Sequence, residues 1–286
     1  MELLSEYCIA LGKVFIISGP TASGKSDFAL KRALEKNGVI INADSLQVYK
    51  SLEILTAQPA PQACLEIPHR LYGFLDPSQH FSVGKWLSLA HQEIENALEN
   101  NKLPFIVGGT GLYLKTLMEG LSPIPPISPD IRKMIKDDQT QNYEELKKVD
   151  PVLASRISPQ DCQRTQRALE VFHGTEKPLS FWQQQKPCPP PYNFHVHILI
   201  PPKDELEKRM TSRLESMVKC GLVEEIKDLL TRPLSTNAKK AIGFYEFAGY
   251  VNGTCTFEEA FKLTLLHTRQ YAKRQMTWFR HQFKNI

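Results

Sequence analysis

Short continuous apolar runs alternate with longer amphipathic stretches along the first half of this chain, a pattern that predicts parallel strands separated by helices. Val14-Phe15-Ile16-Ile17-Ser18 is the first such run, Val39-Ile40-Ile41-Asn42 the second and Phe105-Ile106-Val107 the third. A periodic helix opens at Asp27-Phe28-Ala29-Leu30, and a second amphipathic stretch runs from Val83 to Leu98. Strand character returns at Phe194-His195-Val196-His197-Ile198-Leu199-Ile200. From Lys203 onward the periodicity is helical through Glu205–Cys220 and Val223–Leu230, then a loop is expected, then a last helix from Phe257 to Lys284.

Prolines interrupt this rhythm twice, at Leu121-Ser122-Pro123-Ile124-Pro125-Pro126-Ile127-Ser128-Pro129 and at Lys186-Pro187-Cys188-Pro189-Pro190-Pro191. Proline removes a donor and fixes φ, so neither stretch continues a regular element. The charged, helical sequence between them reads as an insertion, giving a core of residues 1–122 and 192–286 with a helical subdomain at 123–191.

The first strand runs directly into Gly19-Pro20-Thr21-Ala22-Ser23-Gly24-Lys25-Ser26, a GxxxxGK[ST] phosphate loop in strand-loop-helix context. Its backbone N–H groups and the helix N-terminus suit a diphosphate or triphosphate. Lys25 supplies a point charge and Ser26 a hydroxyl for Mg²⁺. The fold class expected is therefore α/β: a P-loop, nucleotide-kinase-like parallel sheet flanked by helices, with a helical insertion.

At 286 residues, 42% hydrophobic and a formal charge of +4, the chain is globular and only mildly basic, so a polyanion must be met by a local patch. One candidate is the last helix, where Arg269, Lys273 and Arg280 fall on one side and Tyr271, Trp278 and Phe279 on another. The six cysteines, Cys8, Cys64, Cys162, Cys188, Cys220 and Cys255, show no zinc spacing and suit free thiols in a reducing compartment. His195 and His197 lack a third ligand nearby and read as structural. With no signal peptide and no membrane-length apolar run, a cytoplasmic location is expected.

The third strand ends in Gly108-Gly109 rather than in an acidic residue, which argues against an ordinary ATPase. The one carboxylate at a predicted strand edge near the phosphate loop is Asp44. It could orient a metal, take a proton from a nucleophile, or cap the next helix.

Over nearly the whole chain the motifs resemble those of bacterial tRNA dimethylallyltransferases. The resemblance is carried by Gly19–Ser26, Asp44-Ser45-Leu46-Gln47-Val48-Tyr49, Thr56-Ala57, Pro68-His69, Val107-Gly108-Gly109-Thr110-Gly111-Leu112-Tyr113, Arg164 to Glu170, Ala241-Ile242-Gly243-Phe244-Tyr245-Glu246 and Thr268 to Arg280. It implies transfer of a dimethylallyl group from dimethylallyl diphosphate to N6 of the adenosine 3′ of a tRNA anticodon, with Mg²⁺ as cofactor and a monomer expected. Asp44, Lys25, Thr21 and Arg213 would then be catalytic, with Asp44 the base and Arg213 a diphosphate contact. Tethering of tRNA would fall to Asp44, Ser45, Leu46, Gln47 and Thr110, to Arg132 and Gln163, Arg164, Thr165, Gln166 and Arg167 in the insertion, and to Arg269 and Lys273. The chain departs from the family pattern at Gln58, at Arg70 and at His173-Gly174-Thr175-Glu176-Lys177-Pro178. A P-loop kinase acting on a small molecule or nucleotide, or a nucleotide-switched RNA-binding protein, would share the loop but not the later blocks.

Overall fold

The computed structural model describes residues 12–137, 142–185, 187 and 190–283. Cys8, Lys186, Cys188, Pro189 and Lys284 lie outside these residues. One unit comprises the chain through Met118 together with Pro191 onward, and the other is Glu119–Pro190.

The first unit is built on β1 (Gly12–Ser18), β2 (Gly38–Asn42), β3 (His69–Arg70), β4 (Leu103–Val107) and β5 (Tyr192–Ile198). All pair parallel, in the order β3-β2-β4-β1-β5. Registers of Asn42 with Val107 and of Ser18 with Ile198 bring the C-terminal ends of four strands to one edge. Ligands of open parallel sheets bind at that edge.

Continuous apolar runs form because both faces of the sheet are covered. On one face Val14, Ile16, Ile41 and Ile106 pack with Trp86, Ile94, Phe247 and Phe279. On the other, Ile17, Ile40 and Phe105 meet Ala29 and Ala33. These alanines lie four apart on α1 (Lys25–Glu35), letting that helix approach the sheet closely. The second face is completed by the segment holding α2 (Pro61–Glu66), while α3 (Val83–Glu99) turns Trp86, Ala90, Ile94 and Ala97 toward the first. After β4 comes α4 (Gly111–Glu119).

The second unit holds α5 (Pro129–Asp137), α6 (Asn142–Val149), α7 (Pro151–Ala154), α8 (Cys162–Thr175) and α9 (Leu179–Gln184) around Ile135, Leu146, Leu153, Ala154, Ala168 and Leu169. Its buried Asp150 accepts from Leu153 N–H at 3.0 Å and from Ser180 N–H at 2.8 Å, tying α7 to the start of α9.

The chain returns to the first unit through β5 and continues in α10 (Lys203–Lys219), α11 (Leu222–Leu230), α12 (Phe244–Val251) and α13 (Phe257–Gln282). The expected loop between α11 and α13 is thus corrected: it contains a helix. Gly243 at φ 100° starts it, and Glu246 reaches back to accept from Gly243 N–H at 3.0 Å. β3 was also unforeseen, since two residues carry no periodicity. His195 and His197 stack on Phe15 and Phe28, in keeping with a structural part. Among the described residues no cluster of His, Cys, Asp or Glu could cage a metal, no helix is long and apolar enough to cross a membrane, and Cys64, Cys162, Cys220 and Cys255 are free.

Candidate active site

Gly19 to Ser26 leads from β1 into α1, and Thr21 to Ser26 line a cavity of about 550 Å³. Ala22 holds a left-handed φ of 61°, and so does Gly24 at 83°. At Gly24 a side chain would run into the Arg209 guanidinium. Inside the loop the Ser23 hydroxyl is buried without a partner, a donor for an incoming oxyanion. Lys25 Nζ donates to the Pro20 carbonyl at 3.3 Å. Burial, and then the Arg213 charge, lower the Lys25 pKa to about 8 against the pull of Asp44. Ser26 and Asp27 lie exposed on the same cavity wall.

Arg213 projects from α10 with Met210, Leu214 and Met217 on its flanks. Its Nη1 donates to Thr21 Oγ1 at 3.1 Å and its Nη2 to the Thr56 carbonyl at 3.4 Å. Burial works against its charge, and Asp44 supports it. Beyond it lies a smaller chamber of about 90 Å³, lined mainly by Leu46, Leu55, Met210, Leu214, Met217, Leu222, Ala241 and Ile242. Both chambers share Thr21, Ala22, Asp44, Thr56, Arg213 and Tyr271. A polar, cationic space and an apolar one therefore meet at a seam that carries a carboxylate.

Asp44 follows β2 but caps no helix. Its Oδ1 accepts from Leu46 N–H at 2.9 Å in a tight turn, while Asn42 Oδ1 accepts from Asp44 N–H at 2.7 Å. Asn42 Nδ2 also donates to the Asp44 and Leu71 carbonyls, both at 2.9 Å. Thr110 steadies the same turn by accepting from Ser45 N–H at 3.1 Å. Gln47 Nε2 is committed to the Thr56 and Ala57 carbonyls, both at 2.9 Å. Tyr72, Tyr113 and Tyr271 lie within electrostatic reach of the carboxylate: burial first, then the Asp44 charge, raises the pKa of each phenol.

Arg269 and Lys273 stand exposed on α13, opposite Tyr271 and the buried Gln275. In the second unit Arg132 is exposed on α5, and Gln163, Arg164, Gln166 and Arg167 lie on accessible parts of α8. Arg164 pairs with Asp161 at 3.4 Å and Arg167 with Glu170 at 3.1 Å. Thr165 corrects the expectation, being 1% exposed: one residue in a helix faces away from its neighbours' side.

Arg209, His69 and Gln275 were given no role in the site from the sequence, though the last two fall within quoted motifs. Arg209 donates to the Ser23 carbonyl at 3.1 Å, His69 lines the phosphate space, and Gln275 touches both the phosphate loop and Gly109. A signal existed for Arg209, four residues before Arg213 on one helix face. Gln58, a departure from the family pattern, is also in this wall and donates to the Tyr49 carbonyl at 2.8 Å.

A phosphate loop at the C-terminal edge of a parallel sheet defines a P-loop-like α/β protein. The sequence matches the IPP transferase family model over residues 47–282 and the isopentenyl transferase model over residues 12–80. It is 45% identical to a tRNA dimethylallyltransferase of Bartonella henselae, over 94% of this chain and 96% of that one. It is 41% identical to the Geobacter sulfurreducens enzyme of the same name, over 94% of this chain and 89% of that one. A eukaryotic dimethylallyltransferase solved acting on tRNA superposes with a TM-score of 0.83 at 29% identity, covering 94% of this chain and 70% of that chain. The tRNA isopentenylpyrophosphate transferase of Bacillus halodurans gives 0.68 at 34% identity, with 94% and 86% covered. The chain belongs to the IPP transferase family, whose curated relatives here are tRNA dimethylallyltransferases.

Proposed function

We propose that this enzyme transfers the dimethylallyl group of dimethylallyl diphosphate to N6 of the adenosine 3′ of a tRNA anticodon, releasing diphosphate. The observation that carries the reading is the seam, where Asp44 and Arg213 border both a phosphate space and an apolar chamber. An allylic diphosphate has the same two halves, and its reacting C–O bond lies between them.

The loop amides, Lys25, the Ser23 hydroxyl and Arg213 hold the diphosphate and take up the charge that grows on it as the bond breaks. The branched hydrocarbon lies against Leu46, Leu214 and Met217. The adenine leaves its stack, at a cost of a few kcal/mol, and enters from the Asp44–Gln47 turn and Thr110. Its amino group is a weak nucleophile, and Asp44 accepts the N6 proton as the N–C bond forms. The residues present also suit a phosphate-held Mg²⁺: Ser26 and Asp27 face the cavity, and this ion is commonly bound through one or two protein oxygens together with substrate phosphates. When bound, it neutralises leaving-group charge.

Arg269 and Lys273 on one unit, and Arg132, Gln163, Arg164, Gln166 and Arg167 on the other, are assigned to the tRNA backbone. Residues 119–190 are thereby an acceptor-binding subdomain. The protein works as a monomer in the cytoplasm.

Incubation with undermodified tRNA, Mg²⁺ and either labelled dimethylallyl diphosphate or labelled ATP tests the reading. Label from the prenyl donor alone should appear in tRNA. Turnover of ATP onto an acceptor, with no prenylation, would replace this function with that of a kinase.

A further inference from the structure

Thr21 is held from two sides. Its backbone N–H donates to Gln275 Oε1 at 2.8 Å, and its hydroxyl oxygen accepts from Arg213 Nη1 at 3.1 Å. Gln275 is buried, and its Nε2 donates to the Gly109 carbonyl at 2.9 Å. One orientation of the amide satisfies both neighbours, with the acceptor toward the phosphate loop and the donor toward the Gly-Gly loop.

Two consequences follow from elementary hydrogen-bond chemistry. The Thr21 N–H is engaged within the protein and is not one of the amides offered to phosphate. Its hydroxyl already receives a hydrogen bond from a guanidinium, so its own proton is directed elsewhere. Thr21 borders both chambers, and the acceptor that arrives there is an oxygen of the diphosphate. The next residue, Ala22, sits at φ 61°, a conformation that persists only where the surroundings over-determine it. Gln275 and Arg213 supply two of those constraints.

We propose that Gln275 is a positioning residue for prenyl transfer, holding the Thr21 peptide so that the Thr21 hydroxyl, polarised by Arg213, donates to the departing diphosphate. The inference rests on the function proposed above. In the step it serves, the N6–C1 bond forms while the C1–O bond breaks, the electron pair of the latter goes to the diphosphate and the N6 proton goes to Asp44. Gln275 touches no reacting atom and acts only through Thr21.

A double-mutant cycle in single-turnover prenylation tests it, using the parent, Gln275→Met, Thr21→Ala and the double variant. Melting curves and filter binding of tRNA accompany each protein. Methionine keeps the length and packing of the side chain, and Gln275→Ala gives the same cycle if Gln275→Met does not melt cooperatively. Expected is a loss of about tenfold to a hundredfold in rate for Gln275→Met, below the range for losing a direct oxyanion donor. In the Thr21→Ala background the same change should alter the rate by less than about threefold, because residues acting as one unit are not additive. Affinity for tRNA should stay within about twofold throughout. Additive losses, or a parent-like rate for Gln275→Met, would overturn the positioning role. A parent protein that prenylates no tRNA would defeat the underlying function instead, so the two failures are told apart.

Discussion

Lys25 shows at the scale of one residue how burial sets up a ligand site. In the free protein its pKa lies at about 8, lowered by burial and then by the neighbouring Arg213 charge. An arriving diphosphate restores the missing counter-charge and raises it again. The sign follows: below about pH 8 the lysine is charged before and after binding, and above it binding must take up a proton. Affinity for dimethylallyl diphosphate should therefore fall as pH rises above about 8, by up to tenfold per unit, and titration calorimetry of parent and Lys25→Met checks this. The methionine variant should bind weakly with no inflection there. An inflection of equal size in both proteins would move the titrating group away from Lys25. Stability without ligand runs the other way, rising with pH from about 8 because the unfolded chain holds this proton more tightly.

Elements place these residues, and glycine sets how closely the elements approach. A side chain at Gly108 would overlap the backbone of Ala43, and Ser18 Oγ donates to the Gly108 carbonyl at 2.7 Å. The Asp44 turn and the Gly-Gly loop are thus locked edge to edge. Gly108→Ala should destabilise the fold by about 2 kcal/mol or more, since backbone cannot move aside as a flexible side chain can. Denaturant unfolding checks it, and a change within about 0.5 kcal/mol would contradict the close approach. Much of this scale was legible in the sequence. Apolar runs marked β1, β2 and β4, and the phosphate loop marked the working edge. α12 was not, because its start depends on a left-handed glycine and a carboxylate folding back onto it. Gln275 was not, because a polar residue in a helix gives no sign of facing inward until the opposing loop is in place. Thr165 was expected at the tRNA because the family resemblance took in the whole run Gln163 to Arg167, although helical rotation turns it inside.

At the scale of the whole molecule the question is how a mildly basic chain holds a polyanion. Arg269 and Lys273 are exposed on α13, while Arg164 pairs with Asp161 and Arg167 with Glu170 at solvent-accessible positions, where an ion pair contributes little and can be exchanged for phosphate. Removing Arg164, Arg167 or Lys273 singly should lower the slope of log K against log salt for tRNA by roughly 0.7 to 0.9, with prenyl-donor affinity unchanged. Unaltered slopes in all three variants would take the tRNA off these faces. The central claim, however, is that the seam between the two chambers performs prenyl transfer with Asp44 as base. Its most direct test is the single-turnover rate of Asp44→Asn with bound tRNA and dimethylallyl diphosphate, read by mass spectrometry of the tRNA. The account predicts a rate at least about a hundredfold below the parent with both substrates still bound. A near-parental rate would contradict it, leaving Asp44 as no more than the residue that shapes its turn.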